Sequence, residues 1–115
     1  MRRFICAFDG IWYGLKSQQS MRLHLIAVVL VTSGGFVLEL NRVEWALIVG
    51  MMGLVLAAEL FNTSIEALLD MVTEERSEKA GLIKDIAAGA VLVTAVVSAI
   101  VGVIVFLPKV VRLIK

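Results

Sequence analysis

The sequence predicts an all-α membrane protein: an N-terminal amphipathic surface helix followed by three transmembrane helices, with residues 1–115 forming one integral-membrane domain. Three observations carry this prediction. Of 115 residues, 60% are hydrophobic and 18% charged, and the mean hydropathy is +0.96. A chain this short has too high a surface-to-volume ratio to hide that much apolar surface in its own interior. The apolar residues also fall into three blocks separated by charge, and a fourth, shorter segment alternates at helical spacing. The same composition excludes other classes. One Pro and low polarity are unlike a disordered chain. Cys6 alone gives neither a disulfide framework nor a cysteine zinc site. A formal net charge of +1 supplies no attraction for nucleic acid.

Residues 3–20 form the surface helix. Phe4, Ala7, Phe8, Ile11, Trp12 and Leu15 recur three and four residues apart, while Arg2, Arg3, Asp9 and Lys16 supply the polar side. Such a helix lies in the membrane interface with its aromatic face down. A span needs ~20 apolar residues, and the three blocks predict spans at about 22–40, 45–70 and 85–108. The first is short and borrows Met21 and Glu39 from its flanks. The second tolerates Glu59 and Glu66. The third is uncharged from residue 86 to 108. In hydrocarbon each backbone N–H and C=O must be bonded within its segment, so each block is a helix. The first block starts too far from Arg2 and Arg3 for a signal peptide and has no small-x-small cleavage site.

Arg2, Arg3, Lys16 and Arg22 precede the first span, and Arg76, Lys79 and Lys84 follow the second. The bias predicts a cytoplasmic N-terminus and long loop, against which the basic C-terminus (Lys109, Arg112, Lys115) argues. Gly34-Gly35, Gly50, Gly53 and the small residues Ala95, Ser98, Ala99 and Gly102 suggest close helix packing. Trp12 and Trp45 fit an aromatic belt. His24, with no second His at ligand spacing, suggests a cap at the interface, and Cys6 a small apolar residue.

The chemistry concentrates in the second span. Glu59, Asn62, Glu66 and Asp70 lie on one stripe of one helix. Intramembrane carboxylates are costly and face a bundle interior or a wet cavity, which marks them as functional. Glu59, among Leu56, Ala57, Ala58 and Leu60, is the deeper one, and a desolvated carboxylate suits the role of general base. Glu66, about 10 Å further along at ~1.5 Å per residue, meets water and suits Mg²⁺, which prefers hard oxygen ligands and phosphate oxygens. Asn62 lies between them. Asp70 has two readings, a further member of the functional stripe or the mark of where the helix leaves the lipid. In the charged loop, which also holds Glu74, Glu75 and Arg76, Glu78 and Lys79 suggest a solvated connector. Lys84 and Asp85 sit against the third span at the depth of Glu66, where a lysine meets phosphate as a point charge and Asp85 favours a helix N-terminus. Soluble nucleotide motifs, GxxxxGK[ST] and GxGxxG, are absent.

Residues 59–70, ELFNTSIEALLD, resemble the signature of the prokaryotic diacylglycerol kinase family, which includes undecaprenol kinases: E-x-x-N-[ST]-[SA]-[IV]-E-x-x-x-D. Lys84-Asp85 followed by Ala87-Ala88-Gly89 is similar to the family's second motif, and the surface helix plus three spans covers essentially the whole chain. The resemblance implies a homotrimer in the bacterial inner membrane that transfers the γ-phosphoryl of MgATP to a lipid hydroxyl, of diacylglycerol or undecaprenol. By that resemblance Glu59 is the base, Asn62 organises the site, Glu66 holds the metal, and Lys84, Asp85 and Glu75 contact nucleotide. Many members carry a glutamate as second metal ligand where this chain has Gln18. An amide oxygen coordinates Mg²⁺ without charge, so Gln18→Glu is expected to lower the Mg²⁺ concentration needed for turnover. An unchanged Mg²⁺ titration would remove Gln18 from the metal site. Two other readings of an intramembrane glutamate are a small proton-coupled transporter and a catalytically silent assembly subunit. The first leaves Asn62, Glu66, Lys84 and Asp85 unexplained.

Overall fold

The computed structural model describes residues 2–17, 19–72 and 78–115. The described chain forms four helices: α1 (Arg2–Ser17), α2 (Gln19–Val37), α3 (Arg42–Val72) and α4 (Glu78–Ile114). The last three are long and apolar enough to cross a bilayer, which bears out the three predicted spans. Their limits differ from the sequence prediction. Gln19 and Ser20 belong to α2 rather than to the surface helix, and residues 38–40 lie outside it. Residues 78–84, expected in a charged loop, are helical, and α4 continues through Pro108 to Ile114. Apolar runs mark where a helix meets lipid. They do not mark where it ends, because water-exposed turns rich in Glu, Lys and Ala keep their backbone bonds. Pro108 removes one such bond near the exposed end of α4, where the loss is tolerated.

The centre of the fold is α3. It packs along α4 and also touches α2 and α1. The result is a slab with extents of 57 × 37 × 21 Å, whose thinnest dimension is about two helix diameters. Little is buried: only 6% of the most apolar stretch of α4 is covered inside one chain. Leu23, Ile26, Val29, Leu92, Val96 and Ile100 are all exposed, which is costly in water and neutral in lipid.

At the end far from Glu59, Leu40, Ile48 and Val105 form a buried cluster, with Val31, Trp45, Met52, Val101 and Phe106 packed around it. The α2–α3 connection is built by local hydrogen bonding. The Leu40 N–H donates to the Gly35 carbonyl (3.1 Å) and the Glu39 N–H to Phe36 (3.4 Å), the pattern of a Schellman cap, with Glu39 left-handed at φ 57°. Asn41 and Glu44 then close a reciprocal capping box at the start of α3: each backbone N–H donates to the other's side chain at 2.9 Å. Lys109 reaches Glu44 at 3.1 Å and ties the far end of α4 to the same corner.

Gly usually fills the left-handed cap position, because an L side chain there costs roughly 1–2 kcal/mol. Glu39→Gly is therefore expected to raise the thermal midpoint in detergent, by up to about 1 kcal/mol of stability once the freer unfolded chain is allowed for. A lower midpoint would assign the Glu39 side chain a role beyond its backbone.

The small residues divide. Gly35 is buried, and a Cβ there would lie 2.6 Å from the Trp45 ring, so α2 and α3 do meet through it. Trp45, predicted as a belt residue, is half-buried in this contact and stacks at a tilt on Phe36 with centroids 4.9 Å apart. Gly50, Gly53 and Gly102 have nothing within 4 Å of where a Cβ would stand. Within one chain they are not packing surfaces, contrary to the sequence expectation.

Candidate active site

The polar stripe of α3 is graded in burial. Glu59 is 4% exposed and Thr63 9%, Asn62 and Glu66 are half-buried, and Asp70 is exposed. Each lies one turn or so beyond the last, so the helix carries the gradient from the packed interior to its polar end. Thr63 turns its hydroxyl back to the Glu59 carbonyl (2.9 Å), satisfying itself inside α3.

The Glu59 carboxylate is held from α2. Ser20 Oγ donates to Oε1 at 2.6 Å, and His24 Nε2 stands 3.7 Å from Oε2, within ion-pair range but longer than a direct hydrogen bond. This corrects the expectation for His24, which faces the deep carboxylate instead of capping the interface. Ser20 was not anticipated at all. The available signal was their spacing: residues 20 and 24 are one turn apart, so two polar groups share one face of an apolar helix.

Around the carboxylate the other helices close in. A Cβ at Gly14 would come within 2.6 Å of Leu60 Cδ2, so α1 runs directly against α3 beside Glu59. On the apolar side, α2 and α4 diverge and leave an open cavity of about 230 Å³, lined by His24, Ala27, Val55, Leu56, Ala95 and Ser98 among others. On the polar side, Asn62 Nδ2 donates to Glu66 Oε1 at 3.2 Å. Among the described residues, the buried Asn62 Oδ1 has no hydrogen-bond partner, although a buried acceptor ordinarily finds one.

Lys84 Nζ pairs with Asp70 Oδ1 at 2.9 Å. It thus sits one turn beyond Glu66 rather than level with it, as the sequence had suggested. Asp85, the next residue of α4, is exposed. Gln18 and Glu75 lie outside the described residues. Among the described residues, no three His, Cys, Asp or Glu side chains cluster as a ready-made metal site. The hard oxygen donor that is present is the half-buried Glu66 carboxylate, oriented by the Asn62 amide. A single carboxylate fits Mg²⁺, which is usually held by one or two carboxylates, with phosphates and water completing the shell.

Three apolar spans with a carboxylate buried between them define a membrane protein with an internal polar site. The family model for prokaryotic diacylglycerol kinase matches residues 5–106. The chain is 39% identical over 108 residues to "Undecaprenol kinase" of Bacillus subtilis (strain 168), covering 94% of this chain and 88% of that one. It is 34% identical over 111 residues to "Diacylglycerol kinase" of Synechocystis sp., covering 96% of this chain and 63% of that longer one. It is 29% identical over 102 residues to "Diacylglycerol kinase" of Escherichia coli (strain K12), covering 85% and 84%. The chain belongs to the prokaryotic diacylglycerol kinase family, a family of lipid kinases. The family match and the names of these relatives lend nothing to the transporter reading.

Proposed function

We propose that the protein transfers the γ-phosphoryl group of MgATP to the hydroxyl of a membrane lipid, with Glu59 as general base. The observation that carries this reading is the placement of Glu59: a carboxylate 4% exposed, oriented by two side chains from another helix, one turn from the Asn62 amide and two turns from the Glu66 carboxylate at the polar end. Phosphoryl transfer asks a protein for positioning and charge stabilisation more than for covalent participation. A site at the edge of the hydrocarbon suits both substrates, since the lipid arrives from the bilayer and ATP from water.

In the reaction, the lipid O–H bond breaks as its oxygen bonds to the γ-phosphorus. The proton passes to the Glu59 carboxylate, and the bond between that phosphorus and ADP breaks. Glu66, with Gln18 by family resemblance, would hold Mg²⁺, which when bound screens the phosphate charge, and Asn62 would orient the Glu66 carboxylate. The Lys84–Asp70 pair is well exposed, with side chains 40% and 69% accessible, so it is worth at most about 1 kcal/mol. Lys84 can therefore exchange Asp70 for a phosphate at little cost. Asp85, and Gln18 and Glu75 by family resemblance, complete the nucleotide side.

The wider reading places α1 flat on the bilayer, its exposed Phe4, Phe8 and Trp12 in the headgroup region and Lys16 over the Trp12 ring at 5.2 Å. It places the N-terminus and the Asp70 end on the cytoplasmic side of the bacterial inner membrane. A homotrimer would cover part of the apolar surface that one thin slab leaves bare.

The acceptor is an alcohol buried at headgroup depth. Undecaprenol is the first candidate, because similarity is higher to the Bacillus subtilis undecaprenol kinase than to the two diacylglycerol kinases above. The test is purified protein with MgATP and vesicles containing undecaprenol or diacylglycerol, following labelled phosphate into the organic phase. Transfer that depends on added lipid is expected. ATP hydrolysis without labelled lipid, or no reaction with either alcohol, would overturn the reading.

A further inference from the structure

We infer that Ser20 and His24 are positioning residues that aim the Glu59 carboxylate, an inference that rests on Glu59 acting as the base. Among the described residues, the polar side chains that meet this carboxylate come from α2, not from α3. Ser20 holds Oε1 with a 2.6 Å hydrogen bond, and His24 Nε2 lies 3.7 Å from Oε2. Thr63, the nearest hydroxyl one turn away on α3, is committed to the Glu59 backbone carbonyl and does not serve the carboxylate. Nor does Arg22, between the two α2 residues, whose guanidinium donates to the Lys16 carbonyl at 3.2 Å.

The two contacts are unequal, and the inequality has a use. Oε1 is fixed by a short bond. Oε2 stands at a distance from His24 that leaves it free to receive a proton, with the imidazole behind it. His24 also lines the apolar cavity between α2 and α4, and the polar group facing it from α4 is Ser98, which does not titrate. A side chain that accepts a proton must be held within hydrogen-bond reach of it. Misplacing a reacting group by about 1 Å costs on the order of 10²-fold in rate. Glu has three rotatable bonds, and α3 alone fixes none of the carboxylate's own contacts. The face of α2 that carries Ser20 and His24 supplies what α3 lacks.

The test compares Ser20→Ala, Ser20→Thr and His24→Gln with the full-length chain, using lipid phosphorylation and the ring-nitrogen resonances of His24. That histidine is the only one in the sequence, so the signal of the untagged protein is unambiguous. Ser20→Ala and His24→Gln are expected to lower kcat by about 10- to 100-fold while KM for ATP stays unchanged, because neither residue touches the nucleotide side. Ser20→Thr, which keeps the hydroxyl, retains wild-type kcat. Glu59→Gln shifts the His24 resonances. A wild-type kcat in both Ser20→Ala and His24→Gln overturns the positioning role while leaving Glu59 as base. His24 resonances indifferent to Glu59→Gln overturn the contact itself. An unmodified protein that phosphorylates no lipid overturns the kinase reading first, and the positioning role with it.

Discussion

Glu59→Gln is expected to cut lipid phosphorylation by about 10²- to 10⁴-fold, the range that a positioned general base contributes. The substitution isolates one property. Gln has nearly the volume of Glu, and its amide oxygen still accepts the Ser20 hydroxyl, so the 2.6 Å contact has a substitute partner. The neutral side chain brings no charge of its own to the buried position. The protein should therefore assemble as before and bind MgATP as before, through groups at the other end of the stripe. Only the acceptor for the lipid's proton is lost. The informative measurement is kcat with saturating lipid alongside KM for ATP. A fall in kcat with constant KM marks an interaction made in the transition state. Wild-type turnover in this variant would remove Glu59 from the chemistry and transfer the base to another group.

The membrane class and the acidic stripe were legible in the sequence because both depend on local periodicity. Residues 59, 62, 66 and 70 share a face at helical spacing, and no tertiary contact is needed to see that. The ends of the helices were less legible, because hydropathy reports lipid contact and not hydrogen bonding. The start of α3 at Arg42, three residues before the predicted span, was nonetheless written in the chain as Asn41-x-x-Glu44, the pattern of a capping box. Glu39 was assigned to a span by its position beside apolar residues. Only its backbone conformation shows that it caps the helix.

The partners of Glu59 were illegible for a different reason. His24 lies 35 positions from it and Ser20 lies 39, and a pairing across two helices leaves no periodic trace. A lone His in an apolar run carries several meanings until its neighbour is known. The same holds for Lys84. Its proximity to the third span was readable, while its choice of Asp70 depends on how far α4 extends before the lipid begins.

Gly35→Ala is expected to destabilise the protein by about 1–3 kcal/mol, the usual cost of forcing an extra group into a packed contact. The added Cβ would stand 2.6 Å from Trp45 Cη2, 3.0 Å from Cζ2 and 3.0 Å from Leu40 Cδ1. A flexible side-chain end yields to such a clash, but an indole ring does not bend. Trp45 is also backed by Phe36 and by the Leu40, Ile48 and Val105 cluster. The ring must leave that cluster, or the end of α2 must lift, and lifting strains the Leu40–Gly35 hydrogen bond that shapes the turn. Gly34→Ala is the matched control. It adds the same methyl to the same helix at the same depth, yet meets Phe106 at 3.7 Å, an ordinary contact, and gains the helix preference of Ala over Gly. The thermal midpoint in detergent should fall for Gly35→Ala and hold or rise for Gly34→Ala. Equal midpoints would mean that α2 and α3 are not pressed together at Trp45. The far corner of the hairpin would then have to be held by the capping box and the Lys109–Glu44 pair instead.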